Sequence, residues 1–372
     1  KKPIGNLEWA LIADGVDAAL MAIASQKISL LANHSISFKQ DLKNKIFALF
    51  EPSNNEIDRL GELDRELGLV YATCVNQLLE KCQYKASQIV AIGCHGQTLR
   101  HRPNFTTPFT VQIGDASLLA QQTGINVISD FRKADINQGG QGAPLAPAFH
   151  KALFEHSRDE CFIVNVGGIA NITHLPLNGP VTGWDIGPGN GLMDSWINKH
   201  KQQPYDDNGK WAAEGTPNQK LLDNLLNHNY FCRVPPKSTG KEEFTLSWVE
   251  KNIQLVSPSI QPQDVQATLL ALTATSIAQT INQLIEVHTR TPDSVQAYIC
   301  GGGALNSELM VNIQKRTLAT INTTQALGIC PMVVEAAAFA WLAYRFTHRL
   351  PGNLPSVTGA QKATLLGTFT PC

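Results

Sequence analysis

The stretch Gly183–Asn190 reads Gly-Trp-Asp-Ile-Gly-Pro-Gly-Asn and places one carboxylate, Asp185, at the end of an apolar strand and before a glycine-rich turn. A helix through Leu192, Met193 and Trp196 is predicted directly after this turn. A carboxylate that faces an open turn suits proton abstraction beside a bound substrate, and glycine lets a ligand approach the backbone closely. The alternative is structural: Asp185 accepts turn amides, and the glycines only shape a tight turn.

Two further glycine turns follow apolar strands. The stretch Asn165–Thr173 predicts a strand, a Gly167-Gly168 turn and a returning strand. Gly301–Gly303 separates a strand from a helix that begins near Asn306. Bare backbone amides in such turns can bind phosphate, and a helix N-terminus adds a partial positive charge. One Gly-Gly hairpin alone is usually only a turn, but these turns together with the Asp185 turn predict a nucleotide between two domains.

Several familiar enzyme motifs are absent from the sequence. No Gly-x-Gly-x-x-Gly follows a strand and opens a helix, which counts against a dinucleotide dehydrogenase, and no Gly-x-x-x-x-Gly-Lys-Ser/Thr marks a P-loop. The Gly-x-Ser-x-Gly nucleophile elbow is also missing. The eight cysteines are scattered without zinc-site spacing, and we expect free thiols in a reducing cytoplasm.

Four polar residues outside the glycine turns are candidate substrate contacts. His95 and Gln97 follow an apolar strand, where α/β proteins place ligand contacts. Arg132 has a planar guanidinium that can clamp a carboxylate. Glu335 lies in an otherwise apolar helix, where a buried acid needs a partner or a cleft. In the structural alternatives, the residues after the strand satisfy local backbone groups, Arg132 pairs with Asp130, and Glu335 faces solvent.

Composition predicts a folded protein of two domains. The chain has 372 residues, of which 43% are hydrophobic and 16% charged, and its formal net charge is −1. This length fits two domains better than one, and the balanced charge gives no attraction to nucleic acid or to an anionic membrane. No apolar run is long enough to span a bilayer.

Apolar strand-like runs alternate with longer helical patterns. This alternation is typical of an α/β protein with largely parallel strand pairing. We expect the chain to cross between its two domains near Phe131–Pro147. The predicted strands lie at 89–94, 123–128, 162–166 and 296–300, and the predicted helices at 56–81, 115–122 and 265–285.

Taken together, these segments resemble the anhydro-N-acetylmuramic acid kinase family. The matching segments keep the family's order and cover nearly the whole chain. They are Gly93–Thr98, Gln112–Asp115, Asp130–Arg132, Gly139–Leu145, Asn165–Asn171, Gly183–Asn190 with Leu192–Asp194, Pro236–Gly240, Asp264–Thr268, Cys300–Gly303 with Asn306, Glu335–Ala343 and Leu350–Gly359.

The resemblance implies an α/β protein with the two-domain actin/hexokinase-like (ribonuclease H-like) fold and an interdomain cleft that binds ATP and Mg²⁺. The first domain would comprise residues 1–135 plus about 345–372, and the second would comprise 136–344. The resemblance also implies a cytoplasmic homodimer that acts in the recycling of cell-wall peptidoglycan, with neither nucleic acid nor a membrane as partner.

The implied reaction couples two events on one sugar. Water opens the anhydro bridge at C1 of 1,6-anhydro-N-acetylmuramic acid, and the freed O6 takes the γ-phosphoryl group of ATP to give N-acetylmuramic acid 6-phosphate. Asp185 matches the family's catalytic base, which activates the water. The substrate-binding positions are matched by Arg132, Glu335, His95 and Gln97. The ATP-binding positions are matched by Asp14, Gly15, Asp17, Gly167, Gly168, Gly301, Gly302 and Gly303. Mg²⁺ would be held mainly by the ATP phosphates and water, without a direct protein ligand.

The N-terminal phosphate loop departs from the family's pattern. That pattern reads Met-Ser-Gly-Thr-Ser, one further residue, and Asp-Gly-Val-Asp, whereas this chain keeps Asp14–Asp17 behind the different segment Glu8–Ala13. The loop glycine and both hydroxyl residues are missing, and apolar side chains cannot hydrogen-bond phosphate. Asp14-Gly15 between apolar runs still predicts a hairpin turn. Met332 also stands where the family usually has an acid.

Two other functions therefore stand beside the kinase. The first is a catalytically impaired pseudokinase that binds muropeptide sugars, because the phosphate loop is altered. The second is a glycoside hydrolase that uses Asp185 and Glu335 as a carboxylate pair and opens the ring without ATP. The repeated glycine turns favour the kinase over the hydrolase.

Overall fold

The chain forms two compact units, one of residues 1–153 with 328–372 and one of residues 154–327. The computed structural model describes residues 7–12, 15–24, 27–50, 52–154, 160–235, 237–240, 243–257, 259–288 and 295–372. The strands are β1 Leu7–Ile12, β2 Gly15–Ala24, β3 Lys27–Ser37, β4 Ile92–Cys94, β5 Gln97–Arg102, β6 Phe109–Ile113, β7 Val127–Ser129, β8 Cys161–Val166, β9 Ile169–Leu175, β10 Thr182–Pro188, β11 Gln296–Cys300, β12 Thr320–Thr323 and β13 Thr368–Thr370. The helices are α1 Gln40–Phe47, α2 Glu56–Cys82, α3 Ala116–Thr123, α4 Phe131–Ile136, α5 Ala146–Leu153, α6 Gly191–Lys201, α7 Lys210–Ala213, α8 Gln219–Leu226, α9 Leu246–Val256, α10 Pro262–His288, α11 Ser307–Gln314, α12 Val334–Thr347 and α13 Pro355–Thr358.

Six strands form the main sheet of the first unit, in the order β13-β7-β4-β1-β2-β3. β1, β2 and β3 form an antiparallel meander, whereas β4 pairs in parallel with β1 and with β7. The pairing of β1 with β2 runs up to Ile12 opposite Gly15, which confirms the predicted hairpin. β5 and β6 form a separate two-stranded sheet.

Helix α12 packs closely against the main sheet of the first unit, where it contacts β1, β2 and β4. Its buried residues are mostly alanines, and small side chains let the helix backbone approach the strands. A Cβ atom at Gly93 of β4 would lie 2.5 Å from the carbonyl oxygen of Phe339 in α12. Glycine at this position is therefore required for the helix to contact the sheet.

Five strands form the sheet of the second unit, in the order β10-β9-β8-β11-β12. β8, β9 and β10 form an antiparallel meander, and β11 pairs in parallel with β8 and with β12. The long helix α10 contacts helices α6, α7, α8 and α11 and the strand β10. Its burial among these elements makes it the central helix of this unit's core.

The two sheets repeat one strand order. In each, the first three strands form the meander, the fourth pairs in parallel with the first, and the fifth pairs in parallel with the fourth. The predicted α/β class with two ribonuclease H-like domains is therefore confirmed. The expectation of largely parallel pairing is wrong, because six of the ten pairings between described strands are antiparallel. A short turn such as that between Val166 and Ile169 leaves no room for the crossover that parallel strands need.

The boundaries of the two units differ from the predicted domain boundaries. Residues 136–153 and 328–344 belong to the first unit. The reason is packing, since α5 contacts α12 and α12 contacts the first sheet. The chain passes into the second unit after Leu153 rather than within Phe131–Pro147.

One buried carboxylate connects three segments of the first unit. Asp135 in α4 is fully buried. Its Oδ2 accepts a hydrogen bond from the Gly142 amide at 2.7 Å. Its Oδ1 accepts hydrogen bonds from Asn353 Nδ2 and from Thr358 Oγ1, both at 2.7 Å. Because a buried charge is tolerated only when its acceptors are satisfied, these donors hold the Gly142 loop and the segment from Asn353 to Thr358 to α4.

We expect Asp135→Asn to lower the free energy of unfolding by about 3 kcal/mol, because an amide nitrogen would then face the Gly142 N–H donor. Urea denaturation measures the loss, and hydrogen exchange at the Gly142 amide should become faster. Thr358→Val is the matched control, since it removes one donor and should cost only about 1 kcal/mol. Equal stability of the Asn variant and the parent protein would contradict this account of the loops.

Candidate active site

Asp185 lies on β10 at a break in the strand pairing. β10 pairs antiparallel with β9, and the register shifts between Asp185 and Gly187. Ile186 is therefore an extra residue on β10, in a β-bulge of the kind that re-aims side chains beside functional sites. The predicted order of strand, glycine turn and helix is confirmed, since β10 ends at Pro188 and α6 begins at Gly191.

The Asp185 carboxylate is held by one of its two oxygens. Oδ2 accepts a hydrogen bond from the Thr239 amide at 3.0 Å. The backbone of Asp185 is held as well: its carbonyl oxygen accepts from the Tyr230 hydroxyl at 2.7 Å, and its amide donates to the Lys237 carbonyl oxygen at 3.2 Å. Within the described part of the chain, Oδ1 has no hydrogen-bond donor, so this oxygen can accept a proton from a ligand or water.

Burial makes Asp185 a stronger base than an exposed aspartate. Loss of solvent raises the pKa of its carboxyl above the ordinary value of 3.8, and the hydrogen bond from the Thr239 amide acts in the opposite direction. A carboxylate with a raised pKa holds an accepted proton more tightly, which suits general-base chemistry.

The turn after Asp185 is docked on the Gly167-Gly168 turn through its backbone. The amides of Gly189 and Gly191 donate to the Gly168 carbonyl oxygen at 3.0 and 3.1 Å, and the amide of Asn190 donates to the Gly167 carbonyl oxygen at 2.7 Å. The structure therefore brings two of the three predicted glycine turns into direct hydrogen-bonded contact.

The third glycine turn, Gly301–Gly303, packs against the end of β8. Two of its positions have no room for a side chain. A Cβ atom at Gly301 would overlap the side-chain oxygen of Asn165, and one at Gly303 would overlap the side chain of Val166. By contrast, a Cβ at Gly302 would lie 3.3 Å from Asn190 Nδ2, and one at Gly167 would lie no closer than 3.6 Å to its neighbours. Packing alone therefore explains glycine at 301 and 303 but not at 167.

In the first unit, His95 and Arg132 are in direct contact. Arg132 Nε donates to His95 Nε2 at 2.9 Å, and Arg132 Nη1 donates to the Gly142 carbonyl oxygen at 2.8 Å. Burial and the adjacent guanidinium hold the pKa of His95 well below its ordinary range. Since a guanidinium can only donate, the neutral imidazole carries its proton on Nδ1.

Glu335 and Gln97 are the other two candidate sugar-binding residues of the first unit. Burial raises the pKa of Glu335, the charge of Arg132 opposes that shift, and the charge of Asp17 adds to it. Gln97 donates from Nε2 to the Thr98 carbonyl oxygen at 3.1 Å. Its buried Oε1 has no hydrogen-bond partner among the described residues and can accept from a ligand.

The predicted phosphate-loop residues have structural roles wherever the structure describes them. Asp14 lies outside the described residues. A Cβ at Gly15 would lie 2.7 Å from the Ile36 carbonyl oxygen, so strand pairing explains this glycine. Asp17 accepts a hydrogen bond from Ser35 Oγ at 2.5 Å, and burial raises its pKa.

The predicted site residues fall into two groups, one in each unit. The first unit holds Gly15, Asp17, His95, Gln97, Arg132 and Glu335, and the second holds Asp185, Gly167, Gly168, Gly301, Gly302 and Gly303. Within the described ranges, no cluster of three or more His, Cys, Asp and Glu residues has the arrangement of a metal site. In the same part of the chain, no helix combines the length and the apolar character needed to cross a membrane.

Sequence reasoning missed the residues that hold Asp185 in place. Tyr230 and Thr239 lie 45 and 54 residues further along the chain. Asn190, which donates from its side chain to the Val166 carbonyl oxygen at 3.1 Å, was recognised only as the end of a turn. The one available signal was the match of Pro236–Gly240 to the family, of which Pro236 lies outside the described residues.

Comparison with known proteins identifies the family. The family model described as anhydro-N-acetylmuramic acid kinase matches residues 10–372. Proteins with this name from Shewanella pealeana, Saccharophagus degradans and Haemophilus influenzae are 48%, 46% and 46% identical to this chain over 360, 365 and 368 residues. Each alignment covers 96% of this chain and 95%, 96% and 95% of the respective relative. This chain therefore belongs to the anhydro-N-acetylmuramic acid kinase family.

Proposed function

We propose that this chain is an ATP-dependent kinase that converts 1,6-anhydro-N-acetylmuramic acid and water to N-acetylmuramic acid 6-phosphate. The observation that carries the mechanism is the state of the Asp185 carboxylate: one oxygen is held by Thr239, and the other has no hydrogen-bond donor among the described residues. Family membership over residues 10–372 supports the substrate and the reaction. The altered segment Glu8–Ala13 is the observation behind the pseudokinase, and the relatives named as kinases give it no further support.

In the proposed mechanism, Asp185 Oδ1 takes a proton from a water molecule, and the water oxygen forms a bond to C1 of the sugar. The C1–O6 bond of the anhydro bridge breaks, and its electron pair stays on O6. O6 then bonds to the γ-phosphorus of ATP while the bond from that phosphorus to the ADP oxygen breaks. The proton on Asp185 passes to solvent, which leaves the sugar 6-phosphate, ADP and one proton.

The other site residues bind and orient the substrates. We propose that Arg132, His95, Glu335 and Gln97 bind the sugar. Arg132 would contribute a fixed positive charge, and Gln97 an acceptor oxygen that has no donor among the described residues. For ATP, we propose backbone contacts at Gly167, Gly168 and Gly302, with Gly301 and Gly303 shaping the turn. Mg²⁺ bound to the ATP phosphates would supply charge neutralisation.

Two further properties follow the family. We propose that the reaction takes place in the cytoplasm, as one step in the recycling of cell-wall sugars, and that the chain acts as a homodimer. Support for these properties comes from family membership over nearly the whole chain.

The assay for this function measures N-acetylmuramic acid 6-phosphate by mass spectrometry after incubation with the anhydro sugar and Mg²⁺, with and without ATP. We expect product only with ATP, and Asp185→Asn should lower kcat about a thousandfold while sugar binding is retained. The matched control is Asp223→Asn, which changes an exposed carboxylate of the same unit and should leave kcat unchanged. A fully active Asp185→Asn variant would exclude Asp185 as the base. Ring opening without ATP would indicate a hydrolase, and sugar binding without product would indicate a pseudokinase.

The pH dependence of kcat should show the raised pKa of Asp185. The base works only when ionised, so kcat falls as the pH drops through this pKa, and the midpoint should lie above the ordinary aspartate value of 3.8. Burial also raises the pKa of Glu335, so the residual activity of Glu335→Gln serves as the control and should keep the same acidic limb. A kcat that stays constant between about pH 8 and pH 4 would contradict the assignment.

Gly167→Ala tests the nucleotide contact without disturbing the fold. The added methyl group meets no atom closer than 3.6 Å, so the melting temperature should stay unchanged while the Kd for ATP rises about tenfold. Gly189→Ala is the contrasting variant: its Cβ would overlap the Gly167 carbonyl oxygen, and the melting temperature should fall. Calorimetric titration that finds the same Kd for Gly167→Ala and the parent would remove Gly167 from the ATP site.

A further inference from the structure

Among the described residues, Tyr230, Lys237 and Thr239 of one segment of the second unit supply the hydrogen bonds that reach Asp185 from outside its own sheet. Within the described residues of this segment, Tyr230 Oη donates to the Asp185 carbonyl oxygen at 2.7 Å, and the Lys237 carbonyl oxygen accepts from the Asp185 amide at 3.2 Å. The Thr239 amide donates to Asp185 Oδ2 at 3.0 Å. Three hydrogen bonds from one segment therefore converge on one residue.

The segment is anchored by a second carboxylate. Glu243 Oε2 accepts from Thr239 Oγ1 at 2.7 Å, and Glu243 Oε1 accepts from Arg233 Nη2 at 2.8 Å. The two oxygens of Glu243 thus connect Arg233 and Thr239, which lie on either side of Lys237 in the chain. Lys237 adds a third tie, because its ammonium donates to the Tyr230 carbonyl oxygen at 3.2 Å and lies 4.8 Å from the centroid of the Tyr230 ring.

The orientation of the Thr239 amide determines the orientation of the Asp185 carboxylate. Among the described residues, this amide is the one hydrogen-bond donor to the carboxylate, so it selects which oxygen is held and which is open. The Thr239 side chain is itself held by its bond to Glu243, which restrains the residue that carries this amide. A carboxylate that turns about its terminal bond loses the alignment that proton transfer requires.

We propose that Thr239 is a positioning residue, which acts through its bond to Glu243 to hold Asp185 in the orientation that accepts a proton from water. This inference rests on the proposed role of Asp185 as the base. Thr239, Glu243 and Arg233 form a brace, defined here as these three side chains, and Tyr230 supports the same carboxylate through the backbone.

Thr239→Val tests the brace, because valine keeps the shape and the backbone amide but removes the hydroxyl group. We expect kcat to fall about tenfold while KM for the sugar and for ATP stays within about twofold of the parent. Thr239→Ser restores the hydroxyl group and should restore kcat. The acidic limb of kcat should move to higher pH in the valine variant, because a weaker hydrogen bond stabilises the ionised carboxylate less. The other ionisable groups of the described residues that face this site are Tyr230, Arg233, Lys237 and Glu243, and all four are unchanged in both variants.

The outcomes separate this inference from the proposed function. If Asp185→Asn is inactive but Thr239→Val matches the parent in kcat and pH profile, the brace is excluded and the base assignment stands. If Asp185→Asn is fully active, the base assignment itself fails. A rise in KM for the sugar with unchanged kcat in Thr239→Val would make Thr239 a substrate contact and overturn the positioning role. Should the valine variant fail to fold, Glu243→Gln provides the second test, because it replaces one of the two carboxylate oxygens that accept from Thr239 and Arg233. We expect the same loss of kcat at unchanged KM, and an unchanged kcat would contradict the brace.

Discussion

Three hydrogen bonds between backbones determine the geometry around Asp185. The amides of Gly189, Asn190 and Gly191 donate them to the carbonyl oxygens of Gly167 and Gly168. Hydrogen bonds between two turns require the backbones to approach to within contact distance, and a Cβ atom at Gly189 or Gly191 would prevent that approach. The turn after β10 is therefore fixed to the turn between β8 and β9, and the bulge at Ile186 lies between this fixed turn and Asp185. This packing fixes the strand end that carries Asp185, and the hydrogen bond from the Thr239 amide then orients its carboxylate.

The two buried or partly buried carboxylates Asp135 and Asp185 show how hydrogen bonding separates a structural acid from a reactive one. Asp135 receives three hydrogen bonds on its two oxygens, so its acceptors are satisfied and it holds loops together. Asp185 receives one, and its second oxygen is open within the described part of the chain. Burial raises the pKa of Asp185, and the single donor limits that rise. An incompletely satisfied acid costs stability, and a fold retains such a cost where chemistry needs it.

Local patterns in the sequence predicted the α/β class, the β1–β2 hairpin, the strand–turn–helix around Asp185 and the strand at 296–300, because apolar period and glycine position determine these features locally. The direction of strand pairing was not predicted correctly, since it depends on connection length and on which strands become neighbours. Tyr230 and Thr239 could not be assigned to the site, because their contacts with Asp185 span 45 and 54 residues. The bond between Arg132 and His95 spans 37 residues and was likewise invisible, although both residues were chosen as candidates.

Over their first five strands in chain order, both sheets have the same strand order and the same pattern of parallel and antiparallel neighbours. Corresponding hairpins can then be recognised by their place in the order: β1–β2 in the first unit and β8–β9 in the second. The described part of the unusual segment, residues 8–12, therefore lies on the hairpin strand β1, at the place in the first sheet that β8 occupies in the second, where the turn to β9 carries Gly167 and Gly168.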